Sequence, residues 1–544
     1  MSLYLGLDSS TQSLTAVVIE VERALRRVVW QASIRFDQHL PQYGTRNGVL
    51  AGDDPLVAHS PPLVWADALD TLLAKLSSER AIDLSRLRAV AGSGQQHGSV
   101  YLDASAAAVL ANLDASRPLV AQIPGIFARE TSPIWMDSST GAECAEIEAA
   151  VGGPQALGEL TGSKAFERFT GPQIRKFWKS SPDAYARSDR IHLVSSFMAT
   201  LLAGKHAPID PGDGAGMNLM DLAGKFWAPA ALEATAPGLL AKLPELRESW
   251  SIVGPIAPYW VKRHGFSSST RVVAWSGDNP CSLIGVGLVE PGLVAISLGT
   301  SDTLFGYLPY ARVDPAAEGH AFGAPTGDYM SLICFKNGSL ARERIRERHG
   351  LDWAGFSAAL RRTRPGNGAC VLLPWFEPEI TPHVDRAGVR RYGLDEDDAD
   401  ANVRAVIEGQ MMTMSNHSRW MGVARKSIYA TGGASCNREI LRVMADVFDA
   451  DVYQFEVGNS AALGAALRAF HADEVAAGRQ PGWKEVVREF AEPVLESRIV
   501  PEASTVRVYR DLQDAYAACE RHALGIGEDP APALRRFGEI HGAK

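Results

Sequence analysis

Asp278 lies in "RVVAWSGDNPCSL", residues 271–283, where a short apolar run turns abruptly into an acid, an amide and a proline. A carboxylate at a strand end can ligate a metal, take a proton as a general base, or cap the helix that follows, with Pro280 at an early helical position. Two other stretches gather hydroxyls and backbone amides. "YLGLDSSTQSLTAVVIEV" and "LVAISLGTSDTLFGYL" each run from an apolar strand through a turn of small hydroxyl residues into a second apolar strand. The turns are Ser9-Ser10-Thr11 and Gly299-Thr300-Ser301. Such a turn aims N–H and O–H donors at one point, which is how a phosphate is cradled. A single copy reads equally well as an ordinary hairpin; two copies far apart imply two similar domains that clamp one polyphosphate between them. A third element, "SIYATGGASCNREILRVMADVF", is a strand, a Gly432-Gly433 turn, and a helix whose N-terminus lies near Asn437. Glycine allows close backbone approach, and a helix N-terminus favours anionic or polar ligands.

The elements that must hold these residues alternate along the chain. "LYLGLD", "LTAVVIEV", "LRAVAGSG", "RVVAWSG", "LVAISLG", "SIYATGG" and "ADVYQFE" read as strands; "PPLVWADALDTLLAKLSS" and "NREILRVMADVFD" read as helices. Alternation of this kind predicts an α/β fold with largely parallel sheets, helices on the faces and sites at strand ends. No short repeat suggests a solenoid. The tail from Gly525, rich in Gly, Pro and charge, reads as a weakly ordered end. The helical stretches "WKEVVREFAEPVL" and "YRDLQDAYAACERHAL" before it are expected to pack on the second domain.

Bulk properties narrow the classes. A chain of 544 residues is too long for one core, so two large domains are expected. With 46% apolar and 22% charged residues the balance is that of a soluble globular protein. A net charge of −9 argues against nucleic acid as a bulk partner. No apolar run approaches the ~20 residues needed to span a bilayer, and the start "MSLYLGLDSST" carries no secretion signal. Six scattered cysteines show no metal-ligand spacing and suit a reducing cytoplasm, so the sequons at Asn337 and Asn416 carry no weight. GxxxxGK[ST], GxGxxG after a strand, HExxH and GxSxG are all absent, which removes the P-loop, dinucleotide-binding, zincin and serine-hydrolase readings.

The segments "SGQQHGS", "FERFTG", "LVSSFMATLL", "DGAGMNLMDL", "SGDNPCSL", "SLGTSDTLF", "FKNGSL" and "ATGGASCNREIL" together resemble the FGGY family of carbohydrate kinases, most closely its eukaryotic members that act on D-xylulose. The resemblance runs from about residue 6 to residue 470. It implies two actin-like, ribonuclease H-like α/β domains with a nucleotide and sugar cleft between them. Residues 1–288 would bind the sugar and carry the first phosphate turn; residues 289–544 would bind ATP and carry a helical extension. The implied activity is phosphorylation of D-xylulose to D-xylulose 5-phosphate with ATP and Mg2+. Its partners would be the sugar and ATP, without nucleic acid or membrane.

Carried over by residue, the resemblance makes Asp278 the general base toward the sugar hydroxyl and Asn279 a holder of sugar hydroxyls. His97 would bind the sugar, and Arg168 would be a second polar clamp, with Arg175 and Lys176 as rivals for that basic role. Asp8 would orient magnesium through water. Thr11 and Thr300 would lie in the phosphate turns, and Gly432, Gly433 and Asn437 at the adenosine end. Trp353 would be a stacking wall for the nucleotide, although a Trp in a helix such as "GLDWAGFSAAL" reads from pattern alone as core. Ser10 stands where many family members have Gly. The alternatives are the same chemistry on ribulose, another ketopentose or a polyol, and an actin-like ATPase that phosphorylates no sugar.

Overall fold

The computed structural model describes residues 2–22, 25–79, 82–455 and 458–542. Two mixed sheets organise the chain. The first comprises β1 (Ser2–Ser9), β2 (Ser13–Val21), β3 (Arg26–Arg35), β4 (Leu87–Gly94), β5 (Ile252–Pro255), β6 (Arg271–Val273) and β7 (Ser276–Gly277). Its order is β5-β6-β4-β1-β2-β3, with β7 pairing β4 beyond the end of β6. The second comprises β8 (Leu293–Leu298), β9 (Asp302–Leu308), β10 (His320–Gly323), β11 (Tyr329–Phe335), β12 (Ser427–Thr431) and β13 (Asp451–Gln454), in the order β10-β11-β9-β8-β12-β13. In both, three strands meander antiparallel and two more join the first strand in parallel. The expectation of largely parallel sheets is therefore corrected to mixed sheets, because tight hairpins can only join antiparallel neighbours. Five strands of each sheet share one order, β6-β4-β1-β2-β3 and β13-β12-β8-β9-β11, which places the two echoing hairpins, β1–β2 and β8–β9, at equivalent positions.

Three expectations shift. Ser9 pairs with Leu14 in the ladder, so the first turn is residues 10–12 and Ser9 belongs to β1. "RVVAWSG" is two short strands, because the carbonyl of Ala274 turns to Arg468 (2.7 Å) and the indole of Trp275 fills the space over Gly92. Of "ADVYQFE", Glu456 lies outside the described residues.

Helices α1 (Pro62–Ser78), α2 (Asp278–Gly285), α3 (Ser339–Arg348), α4 (Trp353–Arg362), α5 (Ala399–His417), α6 (Arg438–Phe448), α7 (Ser460–Ala476), α8 (Ala503–Ala523) and α9 (Ala531–His541) supply the apolar faces. Each sheet has its own core, with α1 on the first and α4, α5, α6 and α8 on the second. A third core, which includes Tyr4, Leu283, Phe322 and Leu463, joins the two. There α2 and α7 cross closely. A Cβ on Gly285 would lie 1.9 Å from the carbonyl of Ser460, and one on Gly464 would lie 1.9 Å from that of Cys281, so both positions require glycine. At the far end of α7, Asp473 accepts from Tyr4 (3.1 Å), Arg88 (2.6 Å) and Arg271, fastening the helix to the first sheet.

The tail is not a loose end. Residues 531–541 form α9, which buries Phe537 in the second core and pairs His541 with Asp511 at 2.8 Å. Pro530 and Pro532 stand where a helix starts, the position at which proline is compatible with one. The stretch beginning at Trp483 forms only a short helix, residues 483–487, against α7, whereas α8 packs on the second core. Among the described residues no helix is long and apolar enough to cross a membrane. All six cysteines are free.

Candidate active site

A cleft of about 1150 Å³ opens between the two sheets at the ends of β1, β4, β7 and β8. Asp278, Asn279, His97, Arg168, Thr11 and Gly432 all line it. Asp278 is the first residue of α2 rather than its cap, which is Gly277, and Pro280 is third. Its Oδ1 accepts from the Asn279 backbone at 2.8 Å and from the Asn279 side chain at 3.1 Å. Burial pushes its carboxyl up to about 6 against the pull of backbone donors from Asn279 and Gln96. The Asn279 amide also donates to the Gln96 side chain at 2.8 Å, which leaves its own oxygen as an acceptor.

Asp8, near the end of β1, accepts from Ser93 Oγ at 2.7 Å. Burial and the charge of Asp278 raise its carboxyl to about 7. The charge of Asp278 disfavours ionisation of Asp8, a cost that a cation beside the two would relieve. Few protein ligands suit Mg2+, which keeps several waters, and among the described residues no cluster of three or more His, Cys, Asp or Glu side chains could hold a metal by itself. The pair fits a metal held through water and phosphate.

His97 occupies a turn after β4 with φ of 72°, a left-handed conformation uncommon outside glycine. Its Nδ1 donates to the Gly216 carbonyl at 2.7 Å, and its ring stacks on Phe169 at 4.2 Å. This fixes the tautomer and makes Nε2 an acceptor. Burial and the charge of Arg168 lower its pKa to about 3. Arg168 lies 4.9 Å over Phe166 and donates to His320 Nε2 at 3.0 Å. The rivals are committed elsewhere: Arg175 to Glu146 at 2.6 Å and Lys176 to Ser139 Oγ at 2.7 Å.

On the other side of the cleft, the second turn is anchored from behind. The Gly299 carbonyl accepts from the Ser339 backbone at 2.8 Å and from Arg342 at 3.3 Å, and Arg342 forms a doubly hydrogen-bonded, fully buried pair with Asp302. Thr300 is exposed at the tip of this turn, while its neighbours Ser297, Ser301 and Thr303 face the cleft. Gly432 has φ of 84°, and a Cβ there would come within 2.6 Å of the Leu298 carbonyl, so only glycine fits. Gly433 is open to solvent. Asn437 caps α6 through the backbone of Glu439 (3.0 Å) and donates to Ser357 at 2.9 Å, joining the Gly-Gly turn to α4. Trp353, at the start of α4, is 42% exposed rather than core, with Arg346 at 4.8 Å over its ring.

Five residues escaped sequence reasoning. Gln96 donates its backbone N–H to Asp278 and stood in the quoted segment "SGQQHGS" beside His97. Trp135 and Met136 are exposed at the mouth, and the Trp135 indole donates to Thr11 Oγ1 at 2.8 Å. His320 and its neighbour Phe322 reach the cleft from the second sheet.

Residues 131–285 match the model for "FGGY family of carbohydrate kinases, N-terminal domain", and residues 294–472 match its C-terminal counterpart. The chain is 44% identical to a xylulose kinase of Mus musculus over 97% of its length and 95% of the relative's. It is also 44% identical to xylulose kinase 2 of Arabidopsis thaliana over 86% of its length and 87% of the relative's. The crystal structure of a xylulose kinase from Rhodospirillum rubrum superposes with a TM-score of 0.78 at 20% identity, covering 96% of this chain and 99% of that one.

Proposed function

Since the chain belongs to the FGGY family of carbohydrate kinases, we propose that it transfers the γ-phosphoryl group of ATP to D-xylulose, giving D-xylulose 5-phosphate. The observation that carries the reading is the position of Asp278, a carboxylate raised to about 6 that faces a cleft lined by His97 and Arg168 and flanked by the two phosphate-type turns. The 44% identity to curated xylulose kinases supports the choice of sugar.

In this reading His97 Nε2 accepts from one sugar hydroxyl, Arg168 donates to a sugar oxygen, and the Asn279 oxygen takes another hydroxyl. Asp278 accepts the proton from the terminal hydroxyl as that oxygen attacks phosphorus. The turns after β1 and β8 offer donors to the phosphates, while Gly432, Gly433, Asn437 and Trp353 border the adenosine. Asp8 would hold magnesium through water, and the ion would neutralise phosphate charge. Closing of the two halves excludes water, which would otherwise compete for the phosphoryl group. We divide the halves at residues 288 and 289, with α7 reaching back onto the first sheet. Six unpaired cysteines accord with a cytoplasmic enzyme.

The test is coupled ADP release with MgATP against D-xylulose, ribulose, other ketopentoses and polyols, for wild type and Asp278→Asn. The reading expects strong D-xylulose dependence and a loss of about 10²–10⁴-fold in the variant. ADP release independent of every sugar, and equal in both proteins, would refute it. The ionised base also sets a sign: kcat/KM falls as the pH drops through the range about 7 to 6, above the usual carboxylate limb, because burial holds both acids protonated longer.

A further inference from the structure

His320 opens β10, the edge strand of the second sheet, yet its side chain meets the first half of the chain. The Ala321 N–H donates to the Gly162 carbonyl at 2.9 Å, and a Cβ on Gly162 would lie 2.2 Å from the Ala321 carbonyl, so the strand is pressed onto residue 162. A second close approach sets Gly323 against Pro211, where an added Cβ would lie 2.6 Å from its carbonyl. This docking carries His320 to Arg168, 152 residues away in sequence.

The chemistry of the pair leaves one assignment. A guanidinium only donates, so His320 Nε2, 3.0 Å from Arg168 Nη2, must be an acceptor. The ring's proton is then on Nδ1, which faces Ser163 Oγ at 3.0 Å. Ser163 is itself held in place: its carbonyl accepts from Asn218 at 2.9 Å and from Thr161 at 3.1 Å. Around the pair stand aromatic rings. Arg168 lies over Phe166 (4.9 Å) and Phe169 (5.5 Å), and His320 meets Phe166 edge-on at 4.8 Å. A cation bedded on rings instead of a carboxylate takes its direction from its few acceptors, and among the described residues that acceptor is His320. Burial and the charge of Arg168 hold the imidazole neutral, consistent with that role.

We propose that His320 is a positioning residue of the sugar pocket: it accepts from Arg168 across the two halves and aims the guanidinium at the substrate, so that the sugar site is complete only with β10 docked. The proposal rests on the sugar-kinase reading above. It makes the second half a contributor to sugar affinity as well as to nucleotide binding.

Four proteins test it: His320→Leu, His320→Gln, Arg168→Leu and the double variant carrying both leucines. Glutamine can accept from Arg168 through Oε1 and donate to Ser163 through Nε2, whereas leucine does neither. We expect His320→Leu to raise the sugar KM by about tenfold, the range for losing a hydrogen bond to a charged group, with a smaller loss in kcat. The KM for ATP should move less than about twofold, and His320→Gln should restore most of the sugar affinity. In the Arg168→Leu background the His320→Leu change should add less than about twofold, because the pair acts as one unit. Equal changes in the two KM values, or an undiminished His320 effect without Arg168, would overturn the proposal. Should His320→Leu fail to fold, His320→Asn replaces it: asparagine is too short to span both partners, so recovery with Gln and not Asn supports the role, and equal behaviour of the two refutes it. Wild-type turnover decides the substrate reading separately, since failure with D-xylulose refutes that reading while the variants are compared on whichever sugar drives ADP release.

Discussion

The two hairpin turns that flank the cleft occupy the same place in two sheets that share a five-strand order, yet they are held by different physics. The first, residues 10–12, is braced by neutral hydrogen bonds at the rim: Thr11 donates to Gln95 at 3.3 Å and accepts from the half-exposed Trp135 at 2.8 Å. The second, residues 299–301, is tied down by a fully buried ion pair, Arg342 with Asp302, which Gln410 joins at 3.0 Å. Neutral contacts at a surface are cheap to remake, so the first turn can adjust when ligand arrives. A buried pair is costly to disturb, because each partner left alone is an uncompensated charge in a poorly polarisable interior. Equal topology therefore gives one adaptable turn and one rigid one.

The largest break in this comparison should come from Arg342→Met, which strands Asp302. Burial already pushes the Asp302 carboxyl up and Arg342 pulls it part of the way back, so the variant should lose about 3–5 kcal/mol of unfolding free energy in denaturant titration. Its KM for ATP should rise as well; a variant of wild-type stability would remove the contrast between the turns.

Asp8→Asn comes next and touches the base of the first turn. The Asp8 carboxyl is held above its unfolded value, from 3.8 to about 7, so folding takes up a proton and the ionised group costs stability at higher pH. The variant should therefore be more stable than wild type, by a margin that grows between pH 3.8 and about 7 and then levels. MgATP-dependent turnover should fall by about 10–100-fold, the usual cost of a removed metal-orienting group. Thermal melts across pH, run beside the kinetic assay, separate the two effects; a destabilised Asp8→Asn would show that the carboxylate is structural.

The smallest effect belongs to Trp135→Phe, which deletes one N–H donor at the rim. Stability should stay within about 0.5 kcal/mol of wild type, as for most surface changes. The KM for ATP should shift by about two- to threefold. A loss as large as that of Arg342→Met would mean the first turn is as rigid as the second.

Much of the frame was legible locally. Strand β1, its turn and β2 announce themselves because alternation, small turn residues and β-branched side chains act over a few positions. The Gly432-Gly433 turn and the Asn437 cap are equally local, and both stand where the sequence places them. Trp353 departs from its local pattern, since a helix of this kind assigns a Trp to the core while the structure leaves it exposed. The tail misled because its glycine, proline and charge content reads as loose chain, whereas its prolines stand where a helix starts. His320 carries no local signal at all: nothing in "AEGHAFG" tells that its imidazole will meet an arginine far upstream.

By itself, then, the sequence determined the alternation of elements, the twin hairpins, the acid at the end of a strand and the family that these motifs resemble. Each depends on neighbours within a few residues, where periodicity and turn chemistry are written directly. Tertiary structure alone decided that the sheets are mixed, that the charge of Asp278 bears on Asp8, that Arg342 anchors the second turn, and that His320 meets Arg168. Those outcomes follow from burial and from pairings between distant segments, and charge and hydrogen-bond energies acquire their values only once folding has removed the water between them.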